Sequence, residues 1–270
     1  MPNDNNQVTT VTKIDSLKKM LEAPSVQEQF KNALAENSGP FVASIIDLYG
    51  GDQYLQNCEP KAVVMEALKA AVLKLPIIKS LGFAYIVPYK SNNVLVPQFQ
   101  IGYKGLIQLA MRTGQYRIIN ADVVYEGEYQ SKNKLTGEYA LDGEQKSESI
   151  VGYFAHFEML NGFSKTLYMT KDKVLAHAKK YSKSFNVRNG PWEKEFDAMA
   201  IKTVVRGLLS HWGFLSVEMI NAMNDDSNDV SDKVKEQVFN NANKHNISID
   251  EAEIVNGESA FDNNNGGPGF

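Results

Sequence analysis

The sequence predicts an α+β fold: N-terminal helices, a small central antiparallel sheet packed by helices, and a disordered C-terminal tail. Three observations carry that prediction. Apolar residues between Ile14 and Leu75 recur at helical spacing. From Phe83 to Ile101 the pattern changes to aromatic and β-branched runs of strand length. Asn161-Gly162 then separates two more such runs, the strongest short signal for a hairpin.

Taken in order, residues 1–13 are rich in Asn, Gln and Thr, lack periodicity and read as disordered. Helical patterns follow over 14–22, 26–37 and 41–49, the last broken by Gly50 and Gly51. A stronger helix starts at Pro60, where proline suits the first turn. It repeats Val64, Leu68, Ala71 and Leu75 and stops at Pro76. Residues 83–89 and 94–101 read as strands, 103–113 as a short helix ended by Gly114, and 116–125 as a strand. A polar excursion over 126–149 precedes the hairpin strands 150–159 and 164–170. Thr170 caps a helix to about Ser182, and Asn189-Gly190-Pro191 turns into one long helix, 192–212, ended by Gly213. These elements compose one domain over 14–223, followed by an acidic, flexible tail over 224–270 with a short helix at 230–241.

Bulk properties exclude several classes. A hydrophobic fraction of 43% in 270 residues supports an ordinary packed core. The net charge of -4 rules out binding by global polycationic character, but its distribution is uneven. Residues 76–206 carry 18 cationic and 12 acidic side chains, whereas 207–270 carry 3 and 11. That asymmetry suits a binding domain with a solvated tail. Cys58 is the only cysteine, which excludes an internal disulfide and a thiolate metal cluster. No apolar run reaches membrane-spanning length and the first residues lack a signal-peptide core, so a cytoplasmic protein without a membrane partner is expected. There is no phosphate-loop motif, no dinucleotide-binding fingerprint and no nucleophile elbow; the four histidines share no metal-ligand spacing. No cofactor and no catalytic residue is expected.

The chemistry concentrates in three places. In Gly102-Tyr103-Lys104-Gly105, a G-x-x-G turn entering a helix brings backbone N–H groups and a positive helix end toward a possible phosphate. A tight strand-to-helix turn is the plain structural alternative. Lys104, Gln108 and Arg112 then recur at i, i+4 and i+8, opposite Leu106, Leu109 and Ala110, while Gln98 and Gln100 alternate with core-facing Phe99 and Ile101. The second place is Lys179-Lys180-Tyr181-Ser182-Lys183 with Arg188, Trp192 and Lys194, where cations and aromatics interleave. A solvated helix end fits that run equally well. The third is the pair Lys202 and Arg206, four apart in an apolar helix. They snorkel or pair with acids, or they line a groove desolvated when phosphates arrive.

These residues bring the chain close to a known family. Leu75-Pro76, the run from Leu81 through Gly82, Phe83, Ala84, Tyr85, Ile86, Val87 and Pro88 to Tyr89, and Gln98-Phe99-Gln100-Ile101-Gly102-Tyr103-Lys104-Gly105 lead the pattern. Gln108-Leu109-Ala110, Arg112, Gly152-Tyr153, Tyr181-Ser182, Pro191-Trp192 and Met199-Ala200-Ile201-Lys202-Thr203 continue it. Their order resembles the RecT-type single-strand annealing proteins of phages and prophages, over roughly residues 15–215. The resemblance implies ATP-independent annealing of complementary strands by a ring or filament of subunits in a bacterial host cell. It also implies a Rad52-like annealing core, single-stranded DNA and an annealed duplex intermediate as ligands, and a phage exonuclease and the host single-strand-binding protein as partners. Pro97, which removes a backbone donor, argues for a strand edge and puts the local register in question.

Together these readings expect Lys104, Arg112, Lys202 and Arg206 to converge in one basic trough on phosphates, supported by Lys179, Lys180, Lys183, Arg188 and Lys194. Gln98, Gln100 and Gln108 add hydrogen bonds, and Tyr103 and Trp192 either stack on bases or pack the wall. A metal-dependent nuclease and a purely self-assembling protein stay open as alternatives.

Overall fold

A computed structural model describes residues 12–91, 94–182, 184–188 and 190–227 of the chain. Lys183, the expected tail beyond residue 227 with its helix at 230–241, and the first eleven residues lie outside that set. The chain divides after Asn228, and every described element belongs to the first unit.

The N-terminal layer is built from α1 (Lys13–Glu22), α2 (Pro24–Leu34), α3 (Ser38–Gly51) and α4 (Pro60–Val72). Thr12 opens α1 with a capping box: its hydroxyl accepts from the Asp15 N–H, and the Asp15 carboxylate accepts in return, a device worth about 1 kcal/mol. α4 is the hub. Val63, Ala67, Ala70 and Ala71 are fully buried on it, and α1, α2 and α3 pack around it. Its helix ends at Val72, three residues earlier than the periodicity suggests. Pro76 disfavours helical backbone at Leu75, and the chain turns through Lys74 at φ 52° to bury Leu75 from outside the helix.

Strands β1 (Ala84–Ser91) and β2 (Val94–Ile101) form an antiparallel pair lying on α4. Pro88 faces Pro97 across the ladder, so both missing donors fall at a position that exchanges no hydrogen bonds. Two residues on, the Phe99 N–H also points outward and is accepted by the Glu66 carboxylate of α4 at 2.7 Å. The register that Pro97 put in question is therefore regular, and the edge reading stands.

After α5 (Tyr103–Arg112), β3 (Tyr116–Tyr125) leads through the excursion to β6 (Ile150–Met159) and β7 (Ser164–Thr170). The excursion contributes only the two-residue strands β4 (Ser131–Lys132) and β5 (Tyr139–Ala140). The described strands thus form three antiparallel sheets, β1-β2, β3-β6-β7 and β4-β5, rather than one central sheet. The β6–β7 hairpin turns at Asn161-Gly162, where Gly162 takes φ 84°, a conformation costly for any side chain bearing a Cβ.

Helices α6 (Lys171–Tyr181), α7 (Pro191–Lys194), α8 (Phe196–Trp212) and α9 (Val217–Ser227) complete the fold. Thr170 caps α6 as expected, accepting from the Lys173 N–H. α8 covers one face of the three-stranded sheet, burying Tyr153, Ala155 and Phe157 against Ala200, Val204 and Leu208. The predicted single helix 192–212 is broken at Glu195, whose backbone leaves the helical region at φ -133° and ψ 49°. The break lets Trp192 turn inward, and its indole N–H donates to the Ser182 hydroxyl at 2.9 Å. On the far side of it, Asp197 accepts from the buried Tyr153 hydroxyl at 2.6 Å. α9 packs on β2 and α5 and runs through the boundary expected after Met223.

Candidate nucleic-acid interface

The G-x-x-G turn is used for packing. A Cβ on Gly102 would lie 2.0 Å from the Gly82 carbonyl oxygen, and one on Gly105 would lie 2.2 Å from that of Phe83. The Gly102 N–H donates to the Phe83 carbonyl at 2.9 Å. The space beside these two glycines is filled by the chain entering β1. What the glycines achieve is placement, since they bring the start of α5 against the start of β1.

From that junction α5 presents an amphipathic surface. Gly105, Leu106, Leu109 and Ala110 are buried, while Lys104, Gln108 and Arg112 line one side of a shallow cleft of about 540 Å³ floored by Phe83, Ile107 and Met111. Gln98 and Gln100 are half-buried on β2, directly across from Val87 and Tyr85, and Phe99 and Ile101 point into the core. Tyr85 links this hairpin to the helices. Burial pushes its hydroxyl pKa up, and the charges of Glu195 and Tyr103 push it further. Tyr103 itself is half-buried and packs on the core.

The arginines have structural duties. Arg112 donates to the carbonyls of Leu73 and Lys74 at 2.6 and 3.0 Å, bracing the turn at the end of α4, where a cation also meets the negative end of the helix. Arg206, half-buried on α8, donates to the Met223 carbonyl of α9 at 2.6 Å. Neither Lys202 nor Arg206 lines the α5 cleft, although α5 and α8 pack directly together. Of the four cations expected in one trough, Lys104 and Arg112 line the α5 cleft.

The second cationic segment contributes Arg188 and Trp192 to a different recess. Lys179, Lys180 and Lys194 are exposed, and Lys180 Nζ sits 5.0 Å from the Tyr181 ring centroid. Arg188 lines a cleft with Trp192, which is only 6% exposed and packs beneath it. The cleft residues Ile107 and Met111, and Phe185 and Phe196 beside Trp192, were not singled out in the sequence, and Phe83 entered only through the family resemblance. Phe196 at four residues from Trp192 was the available signal. Among the described residues no three His, Cys, Asp or Glu side chains are grouped to hold a metal ion, and no helix is long and apolar enough to cross a membrane.

Comparison with known proteins agrees with the sequence resemblance. A family model described as the RecT family matches residues 40–239. The chain is 48% identical over 209 residues to the uncharacterized protein YqaK of Bacillus subtilis (strain 168), covering 77% of this chain and 71% of that one. It is 30% identical over 168 residues to Protein RecT of Escherichia coli (strain K12), covering 58% of this chain and 60% of that one. The matches define a phage-type recombination protein of the strand-annealing class. The chain belongs to the RecT family.

Proposed function

We propose that the protein binds single-stranded DNA and anneals complementary strands without ATP or another cofactor, acting as an oligomer. The observation that carries this reading is the α5 face, where Lys104, Gln108 and Arg112 line one cleft over two helical turns. Cations and amides at that spacing grip successive backbone phosphates without reading sequence. Strand pairing then needs no chemical energy: stacking contributes about 1.4 kcal/mol per step, so a protein that fixes the backbone and leaves base edges open only has to speed encounter.

In this reading Lys104 is the principal phosphate contact and Arg112 combines phosphate binding with its bracing of α4. Gln98 and Gln100 flank the strand from β2. Lys202 and Arg206 extend the surface onto α8, and Lys179, Lys180, Arg188 and Lys194 extend it past α6. The protein would act in the bacterial cytoplasm on strands resected by a phage exonuclease and coated by the host single-strand-binding protein.

The test is a strand-annealing assay with complementary oligonucleotides, no nucleotide triphosphate and protein in excess. The expected result is annealing well above the spontaneous rate, with no new ends on linear DNA incubated with magnesium. Spontaneous-rate annealing by folded protein removes the reading, and new ends support a nuclease instead.

A further inference from the structure

The aromatic cleft between α6 and α8 is not explained by backbone gripping. Leu175, Phe185, Val187, Trp192 and Phe196 line it, Arg188 stands on its rim, and its volume is about 400 Å³. Asn186 and Glu193 complete the lining. Trp192 is the floor, held by its hydrogen bond to Ser182. Phe185 and Phe196, both half-buried, stand edgewise on it, with centroids 6.0 and 5.7 Å away at 68° and 64°. Lys171 Nζ lies 5.8 Å from the Phe196 centroid.

The break at Glu195 builds this site. A continuous helix would carry Trp192 along the axis of α8 instead of turning it beneath Phe185. An apolar recess left open to water forgoes burial of its lining, at about 25 cal/mol per Å², so an occupant would gain by filling it. Its surroundings select that occupant. Residues 165–206 carry ten cationic and four acidic side chains; Arg188 lines the recess itself, beside Glu193, and Lys171 lies over the Phe196 ring. Such a setting attracts a polyanion, and the component of a polyanionic strand that suits an aromatic recess is its base. Every base has a π-face, so the fit tolerates any sequence.

We propose that this cleft seats one unstacked nucleobase of a bound single strand, with an adjoining phosphate at Arg188. The proposal rests on the single-strand-binding reading above and goes further, because it assigns one nucleotide per subunit to a fixed position. A base held there is withheld from pairing while its neighbours stay open. The cleft therefore sets the register of the strand on each subunit, and the seated base is the last to pair.

The test compares an oligothymidylate with an oligonucleotide of equal length whose bases are absent. Measurements use protein carrying Trp212→Phe, so that emission reports Trp192. The base-containing strand is expected to bind about tenfold more tightly than the abasic one and to quench Trp192. Phe185→Ala, and Phe185→Leu as the variant that preserves apolar volume, are each expected to remove that tenfold difference while leaving abasic binding unchanged. Equal binding of the two strands with no change in Trp192 emission overturns the proposal but leaves single-strand binding standing. Binding of neither strand overturns both. A Phe185→Leu protein that still binds oligothymidylate like the parent also overturns it.

Discussion

The α5 cleft and the α6–α8 cleft use opposite materials. The first sets a cationic and amide rim, Lys104, Gln108 and Arg112, over a small apolar floor; the second sets three aromatic rings under a single guanidinium. A strand of DNA also has two kinds of surface, an anionic backbone and apolar base faces. The difference between the clefts teaches that charge and stacking need not share a site. A lysine near the first is expected to change salt dependence, and a ring in the second to change the dependence on bases.

The largest effect is expected where the first cleft is built. Gly105→Ala drives a Cβ into the Phe83 carbonyl, and overpacking against backbone should cost about 3 kcal/mol of stability in denaturant unfolding. Gly50→Ala, with nothing within 4 Å of the added carbon, is the control and should leave stability unchanged or slightly raised. Next comes Arg112→Ala. Losing charge-assisted hydrogen bonds to two carbonyls at the end of α4 should cost about 2 kcal/mol, alongside any loss of DNA affinity. An unchanged melting transition there would mean that the bracing role is idle. Lys104→Ala is expected to keep full stability while weakening single-strand binding about tenfold, and to reduce the slope of log affinity against log salt by about 0.7.

The smallest effect concerns His177. Burial holds its pKa below the ordinary 6.5, and the charge of Arg206 lowers it further. Phosphates arriving at Arg206 would offset that charge and raise the His177 pKa, so the complex would take up a proton. Binding should then tighten modestly as pH falls below about 6.5. A proton NMR titration of His177 with and without oligonucleotide reads the shift directly, and an unmoved midpoint takes Arg206 out of the interface.

Local features were the most legible in the sequence. The strands 94–101, 116–125, 150–159 and 164–170 and the Thr170 cap follow from alternation, turn chemistry and capping, each written in adjacent residues. The amphipathic α5 was legible for the same reason. What escaped depends on distant partners. Arg112 looked like a spare cation because the carbonyls it serves lie 38 and 39 residues upstream, exposed by a turn that helical periodicity did not show. The break at Glu195 escaped because no Gly or Pro lies within residues 192–206 to mark it; Ser182 and Tyr153, each outside that segment, hold Trp192 and Asp197 on either side of it. The glycine pair was read toward a ligand when its tight contact is with Gly82 and Phe83.

The central claim is that Lys104 and its neighbours on α5 hold DNA by its backbone. Affinity for one oligonucleotide, measured across a series of salt concentrations for the parent protein and for Lys104→Glu, tests it most directly. The parent should lose affinity along a straight log–log line of slope about -0.7 per phosphate held, and the charge reversal should flatten that line and lower it. Two superimposable lines, or a parent affinity indifferent to salt, would contradict the account.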